Sequence, residues 1–153
     1  MSSKRHVEVV TALQAASRIS VGQTVRFQGA VAARLGIHPT DLNCLNLLQL
    51  HGPLTAGQLA EHASLTKGGA ITAALDRLER AKLVMRERDA GDRRRIVVRL
   101  RPEAVERIAP MMPTDLWDEM YARYSDDELA LVLDFTERST ALLQRLIDRL
   151  GQD

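Results

Sequence analysis

A mainly α-helical fold with one small β-hairpin is predicted for this 153-residue chain, on three observations. Thr55-Ala56-Gly57-Gln58-Leu59-Ala60 opens a short helix, with Gln58 three residues after Thr55 in a capping box. Leu65-Thr66-Lys67-Gly68-Gly69-Ala70 leads into a second helix, which closes on Leu78-Glu79-Arg80. Two strand-like runs between Val84 and Leu100 then flank Asp89-Ala90-Gly91-Asp92, followed at once by Arg93-Arg94-Arg95. Helix, turn, helix and basic hairpin, in that order, make a winged helix-turn-helix. That plan offers one helix to the major groove of double-stranded DNA and an arginine-tipped ribbon to phosphates or the minor groove.

Each element has its own local signal. Residues 7–35 read as one long helix: Val7, Val10, Leu13 and Ile19 recur at helical spacing, Gly22 and Gly29 weaken the middle, and Gly36 ends it. Pro39 starts the next helix, with Leu42, Leu45, Leu48 and Leu50 as its apolar stripe and Gly52-Pro53 as its break. Thr66 is the expected cap of the reading helix. Within it Ile71, Ala74, Leu75 and Leu78 face the core, while Gly69, Ala70, Thr72, Ala73 and Arg77 point outward. The wing strands are expected over 84–88 and 94–100, where Ile96, Val98 and Leu100 alternate with Val97 and Arg99 as in a half-buried strand. Pro102 opens a short helix that Pro110 and Pro113 interrupt. Helix resumes over 115–124, and Ser125 with Glu128 caps a last helix to about Leu150, with Leu129, Val132, Leu133, Leu142, Leu143 and Leu146 apolar.

Composition sets the class. An apolar share of 45% and a charged share of 27% are ordinary for a water-soluble domain, and aromatics at 3% favour helix over sheet. No apolar run is long enough to span a membrane and no secretory h-region follows Met1, so a cytoplasmic protein is expected. The net charge of +1 hides a division: residues 76–101 carry ten basic side chains against five acidic, and residues 113–153 carry four against ten. Such a chain presents a single basic face to a duplex. The helices over 7–35 and 102–150 hold more apolar surface than the winged part, residues 38–101, requires. They are expected to pair two copies into a homodimer, with a monomeric helical subdomain as the alternative.

The cassette suggests roles. Small outward residues at Gly69, Ala70 and Ala73 let the backbone approach base edges, with Thr66, Lys67 and Gly68 at the approach to the helix. Lys67 and Arg77 suit phosphates, and Thr72 suits a base edge or a thymine methyl. Arg93, Arg94 and Arg95 suit phosphate or a narrow minor groove, with Asp92 orienting one guanidinium through a bidentate pair; a solvated charge run is the plain alternative.

The most specific stretches resemble the MarR family of bacterial transcriptional regulators: residues 66–72, Leu75-Asp76-Arg77-Leu78-Glu79-Arg80, and the wing from Arg86 through Asp92-Arg93-Arg94 to Val98. The resemblance covers roughly 7–150 and implies a single MarR-like domain over 1–153. It further implies a homodimer on a pseudo-palindromic operator, usually a repressor, released by a small lipophilic or aromatic effector; other members respond to oxidation or metals. Many relatives carry Ser-Thr where this chain has Gly69-Ala70, and Gly where it has Lys82, so reading partly through DNA shape is expected.

Trp117, Tyr121 and Tyr124 share one helical face, either as a dimer core stripe or, for Trp117 and Tyr121, as walls of an effector pocket. Cys44 is the only cysteine and reads as a small core residue rather than a peroxide-sensing thiolate. His6, His38, His51 and His62 are scattered without zinc spacing, so no metal and no cofactor are expected. No phosphate loop, nucleophile elbow or metal-hydrolase pair is present, and an enzyme is not expected. A protein-interaction module on the same scaffold is the competing class, but it would have no need of a basic hairpin tip.

Overall fold

In the computed structural model, which describes residues 3–63 and 69–151, helices and one antiparallel hairpin follow in the expected order. The chain divides into two compact units, Met1–Met111 and Met112–Asp153.

In the first unit, helix α1 (Lys4–Leu35) begins about a turn earlier than its apolar spacing predicts, because the Ser3 hydroxyl accepts from the His6 N–H at 3.2 Å. Gly36 ends it at φ 71°, a left-handed conformation that glycine adopts without strain, and the Ile37 N–H returns to the Ala32 carbonyl at 3.0 Å. Val31, Ala32 and Leu35 are buried, whereas Val7, Val10, Leu13 and Ile19 remain exposed. Helix α2 (Pro39–His51) buries Leu42, Cys44, Leu45 and Leu48. Leu50, expected in that stripe, is 77% exposed, and Leu47 packs at the edge of the core instead. Two residues along a helix make rather more than half a turn, so Leu50 stands opposite Leu48.

Helix α3 (Ala56–His62) starts with the expected box: Gln58 N–H donates to Thr55 Oγ1 at 3.2 Å and Thr55 N–H to Gln58 Oε1 at 2.9 Å. Helix α4 is described over Gly69–Arg80, and the side chains of Ile71, Ala74, Leu75 and Leu78 enter the core as their spacing predicts. Beyond it the Lys82 N–H reaches the Glu79 carbonyl and the Leu83 N–H the Leu78 carbonyl, each at 3.0 Å, with Lys82 at φ 58°. This is a glycine position held by a lysine.

Strand β1 (Val84–Arg88) pairs antiparallel with β2 (Ile96–Leu100), Val84 opposite Leu100 and Arg88 opposite Ile96. The second strand starts two residues later than expected because residues 92–95 are drawn into the turn. The predicted alternation also fails: Ile96 is exposed, while Val97 and Val98 are both buried. The pleat sends neighbouring side chains to opposite faces, so both faces are covered at this point. Leu54 exchanges two backbone bonds with Val98, at 3.1 and 2.7 Å, and adds a third-strand bridge that period-two reasoning does not foresee. Helix α5 (Pro102–Ile108) and one 3₁₀ turn (Ala109–Met111) close the unit.

The second unit holds α6 (Asp115–Tyr121) and α7 (Asp126–Leu150). Helix α6 stops three residues short of the expected end, leaving Tyr124 outside it. Helix α7 begins in the predicted box, with Ser125 N–H on Glu128 Oε2 at 2.8 Å. Neither helix buries a residue. Among the described residues no helix is long and apolar enough to cross a membrane.

Candidate nucleic-acid interface

The core fixes which side of α4 meets solvent. With Ile71, Ala74, Leu75 and Leu78 turned inward, Gly69, Ala70, Thr72 and Ala73 are left exposed on the opposite side. Thr66, Lys67 and Gly68, expected at the approach to this helix, lie outside the described residues. The outward surface is therefore shallow, built from backbone and Cβ atoms with one hydroxyl.

Arg77, expected on a phosphate, is engaged inside the protein. Its Nε donates to Asp41 Oδ2 at 2.8 Å and its Nη2 to Asp41 Oδ1 at 2.6 Å. Asp41 is fully buried and Arg77 partly exposed. The Asp41 hydrogen bond is the first cause raising the guanidinium's pKa. A carboxylate withdrawn from water needs a partner that satisfies both oxygens, and the planar guanidinium does so. Sequence reasoning missed this pair because its members lie 36 residues apart.

A second cluster joins α4 to the wing. Arg86 on β1 donates through Nη2 to Asp76 Oδ1 at 2.8 Å and through Nη1 to Glu79 Oε2, so one guanidinium bridges two successive turns of α4. Both acids stand inside the stretch that carries the family resemblance, yet their partner could not be read from spacing.

The wing tip is shaped by carboxylates acting on backbone. Asp89 Oδ1 accepts from the Gly91 N–H at 2.7 Å and the Asp92 N–H at 3.3 Å, and these bonds, the first stronger, lower its pKa, with Arg95 adding a smaller push. Asp92, expected to hold a guanidinium, instead accepts from the Arg94 backbone N–H at 3.0 Å, while its carbonyl takes the Arg95 N–H at 2.9 Å. The geometric reason is local: within a tight turn the amide two residues on is nearer than the end of a long side chain. Arg93, Arg94 and Arg95 are exposed. Arg95 Nη2 also leans back to Gln58 Oε1 at 3.5 Å, linking the wing to the cap of α3.

The other expected residues fall elsewhere. Trp117 and Tyr121 stack on α6 with centroids 6.1 Å apart and planes at 27°, both exposed. A recess of about 390 Å³ in the first unit is lined by Gln28, Pro39, Thr40, Asn43 and Ala63, none of them an expected effector residue. Cys44 is fully buried, and burial first, then Asp41, pushes its thiol pKa up against a smaller lowering by Arg77. Burial and the raised pKa both disfavour the thiolate. His51 and His62, far apart in sequence, stack with centroids 5.0 Å apart, and His38 caps α2. Among the described residues no three His, Cys, Asp or Glu gather as a metal site.

Comparison with known proteins agrees with this architecture. Residues 35–95 match the MarR family. The uncharacterized HTH-type transcriptional regulator YcgE of Bacillus subtilis (strain 168) is 34% identical over 134 residues, 85% of each chain. A MarR family protein from Bacillus stearothermophilus is similar in structure at TM-score 0.60 and 24% identity, over 95% of this chain and 99% of that one. Reduced AbfR, solved bound to DNA, is similar at TM-score 0.55 and 20% identity, over 92% and 97%. At those identities the solved structures speak for the fold, and the YcgE relative speaks for the family. The chain belongs to the MarR family of winged helix-turn-helix transcriptional regulators.

Proposed function

We propose that the protein is a cytoplasmic, homodimeric, sequence-specific DNA-binding repressor acting on a pseudo-palindromic operator and released by a small lipophilic or aromatic compound. The observation that carries the DNA reading is the exposed small-residue face of α4 beside an exposed run of three arginines on a hairpin tied to that helix by Arg86. In this reading Gly69, Ala70, Thr72 and Ala73 face the base edges, Thr66, Lys67 and Gly68 lead the helix into the groove, and Arg77 stands at its flank. Arg93, Arg94 and Arg95 take phosphate or the minor groove, with Asp92 shaping their turn. AbfR, similar in fold, has been solved with DNA, which favours the same mode here.

The winged part, residues 38–101, is then the reading module, and helices over 7–35 and 102–150 pair two copies. Exposed Val7, Leu13 and Ile19 on α1 and Leu131, Leu143 and Ile147 on α7 support the pairing, since apolar faces of this extent are uncommon on monomers. Trp117 and Tyr121, exposed and stacked, are the flat surface proposed for an aromatic effector.

A gel shift with the DNA upstream of the protein's own gene, followed by footprinting, tests the reading. A symmetric protected site whose affinity falls steeply with salt is expected. Equal, salt-insensitive indifference to every duplex would exclude DNA binding and leave the interaction-module class. Quenching of Trp117, the lone tryptophan, by compounds that release DNA tests the effector face.

A further inference from the structure

We propose that Asp41 is a positioning residue for DNA recognition: by gripping Arg77 in a two-bonded fork, its buried carboxylate sets the depth and tilt at which α4 meets the duplex. The inference rests on the reading of α4 as the helix that enters the groove.

Three observations carry it. First, Asp41 is the buried charged side chain of the described residues, at 0% exposure, and Arg77 covers it from the solvent side. Here the guanidinium meets both oxygens side-on, through Nε and Nη2, and two parallel bonds in one plane fix an orientation as well as a distance. Second, the outward face of α4 is Gly69, Ala70 and Ala73 with the hydroxyl of Thr72. A long side chain absorbs an error in helix placement by changing rotamer; a Cβ does not. A shallow reading face therefore depends on where its backbone is held. Third, the same carboxylate accepts from the His38 N–H at 3.4 Å, closing the box that starts α2. Only Gly36 and Ile37 separate that box from the end of α1, whose last turn is in the core while Val7, Leu13 and Ile19 stay exposed. The grip thus references the reading helix to the rod that carries the outer apolar face.

The test uses the full chain, a duplex that the wild-type protein enriches from a randomised pool, and an unenriched duplex of equal length. Asp41→Asn removes the charge that the fork grips, and Arg77→Lys keeps the cation but loses the fork. Affinity for both duplexes and the salt slope are measured at a temperature where circular dichroism shows each variant folded. The expected result is a fall of roughly tenfold in the preference for the enriched duplex, comparable to one mismatched base pair, with unchanged non-specific affinity and salt slope. A purely structural grip would lower the melting temperature and leave the preference intact, which would overturn the proposal. If Asp41→Asn does not fold, Arg77→Lys decides alone. A salt slope lower by about one unit in the Asp41→Asn, Arg77→Ala double variant would make Arg77 a phosphate contact and also overturn it. Failure of the wild-type chain to enrich any duplex would overturn the DNA reading itself. An enriched duplex whose advantage survives both single substitutions overturns only the positioning role.

Discussion

Leu59, Leu75, Leu78 and Val98 of the first unit are withdrawn from solvent, whereas α6 and α7 of the second unit bury nothing and leave Leu131 70% exposed. Both units have apolar residues at helical spacing, so periodicity alone does not separate them. What separates them is closure. In the first, α1 to α5 and the hairpin surround one cluster from Val31 to Ala104. In the second, two helices present their apolar sides outward, and amphipathic helices of this length in water take most of their stability from a partner surface. The lesson is that a helical stripe reports that burial is required, not what supplies it.

The largest effect should come from breaking that contrast in the first unit. Leu78→Ala is expected to cost about 2–5 kcal/mol in urea denaturation, a loss relative to the wild type that stays the same at every protein concentration, because the void lies inside one chain. Leu143→Asp in the second unit should instead weaken self-association by at least about tenfold in sedimentation equilibrium, since a charge would be carried into the paired surface. A concentration-independent loss at Leu143 would mean that the second unit closes within its own chain.

Next in size are the exposed arginines. Arg93→Ala is expected to lower the salt slope of DNA binding by about one unit for any duplex, read from titrations at several salt concentrations. Lys82→Gly should raise stability by about 1 kcal/mol, because Lys82 occupies a left-handed position at φ 58° that costs a side-chain-bearing residue and not glycine. An unchanged urea midpoint would mean that the lysine has a compensating contact.

The smallest effect concerns pH. The Ser125 N–H, first, and its hydroxyl hold the Glu128 carboxyl below its ordinary value of 4.5. A depressed folded value contributes stability above 4.5, and that contribution fades as the pH falls through the lower folded value. Glu128→Ala should remove this acid-side dependence from α7 helicity followed by circular dichroism, leaving the neutral-pH dependence untouched.

These contrasts show which parts of the molecule were legible beforehand. Thr55 with Gln58 and Ser125 with Glu128 announced two helix starts because a capping box spans three residues. Ile71, Ala74, Leu75 and Leu78 announced the inner face of α4, and so its outer face. The Asp41–Arg77 fork, the reach of Arg86 to Asp76 and Glu79, and the His51–His62 stack were not legible, since each joins elements whose proximity is set by the finished core. Val97 and Leu50 were misjudged too: Val97 is buried on the face that alternation assigns to solvent, and Leu50 sits about a half-turn off its stripe. At the wing tip the exposure of Arg93, Arg94 and Arg95 was legible in their run of charge, and the partner of Asp92 was not, because it reaches an amide instead of a side chain.

The double reach of Arg86 has a mechanical consequence. One planar group ties the hairpin to two turns of α4, so a swing of the ribbon against the helix would have to break both ion pairs. The two elements behave as the jaws of a caliper with a set gap. On the proposed reading, a duplex would have to offer a groove and a phosphate ridge at that gap, and a stiff or narrow segment of the wrong width would fit poorly whatever its bases.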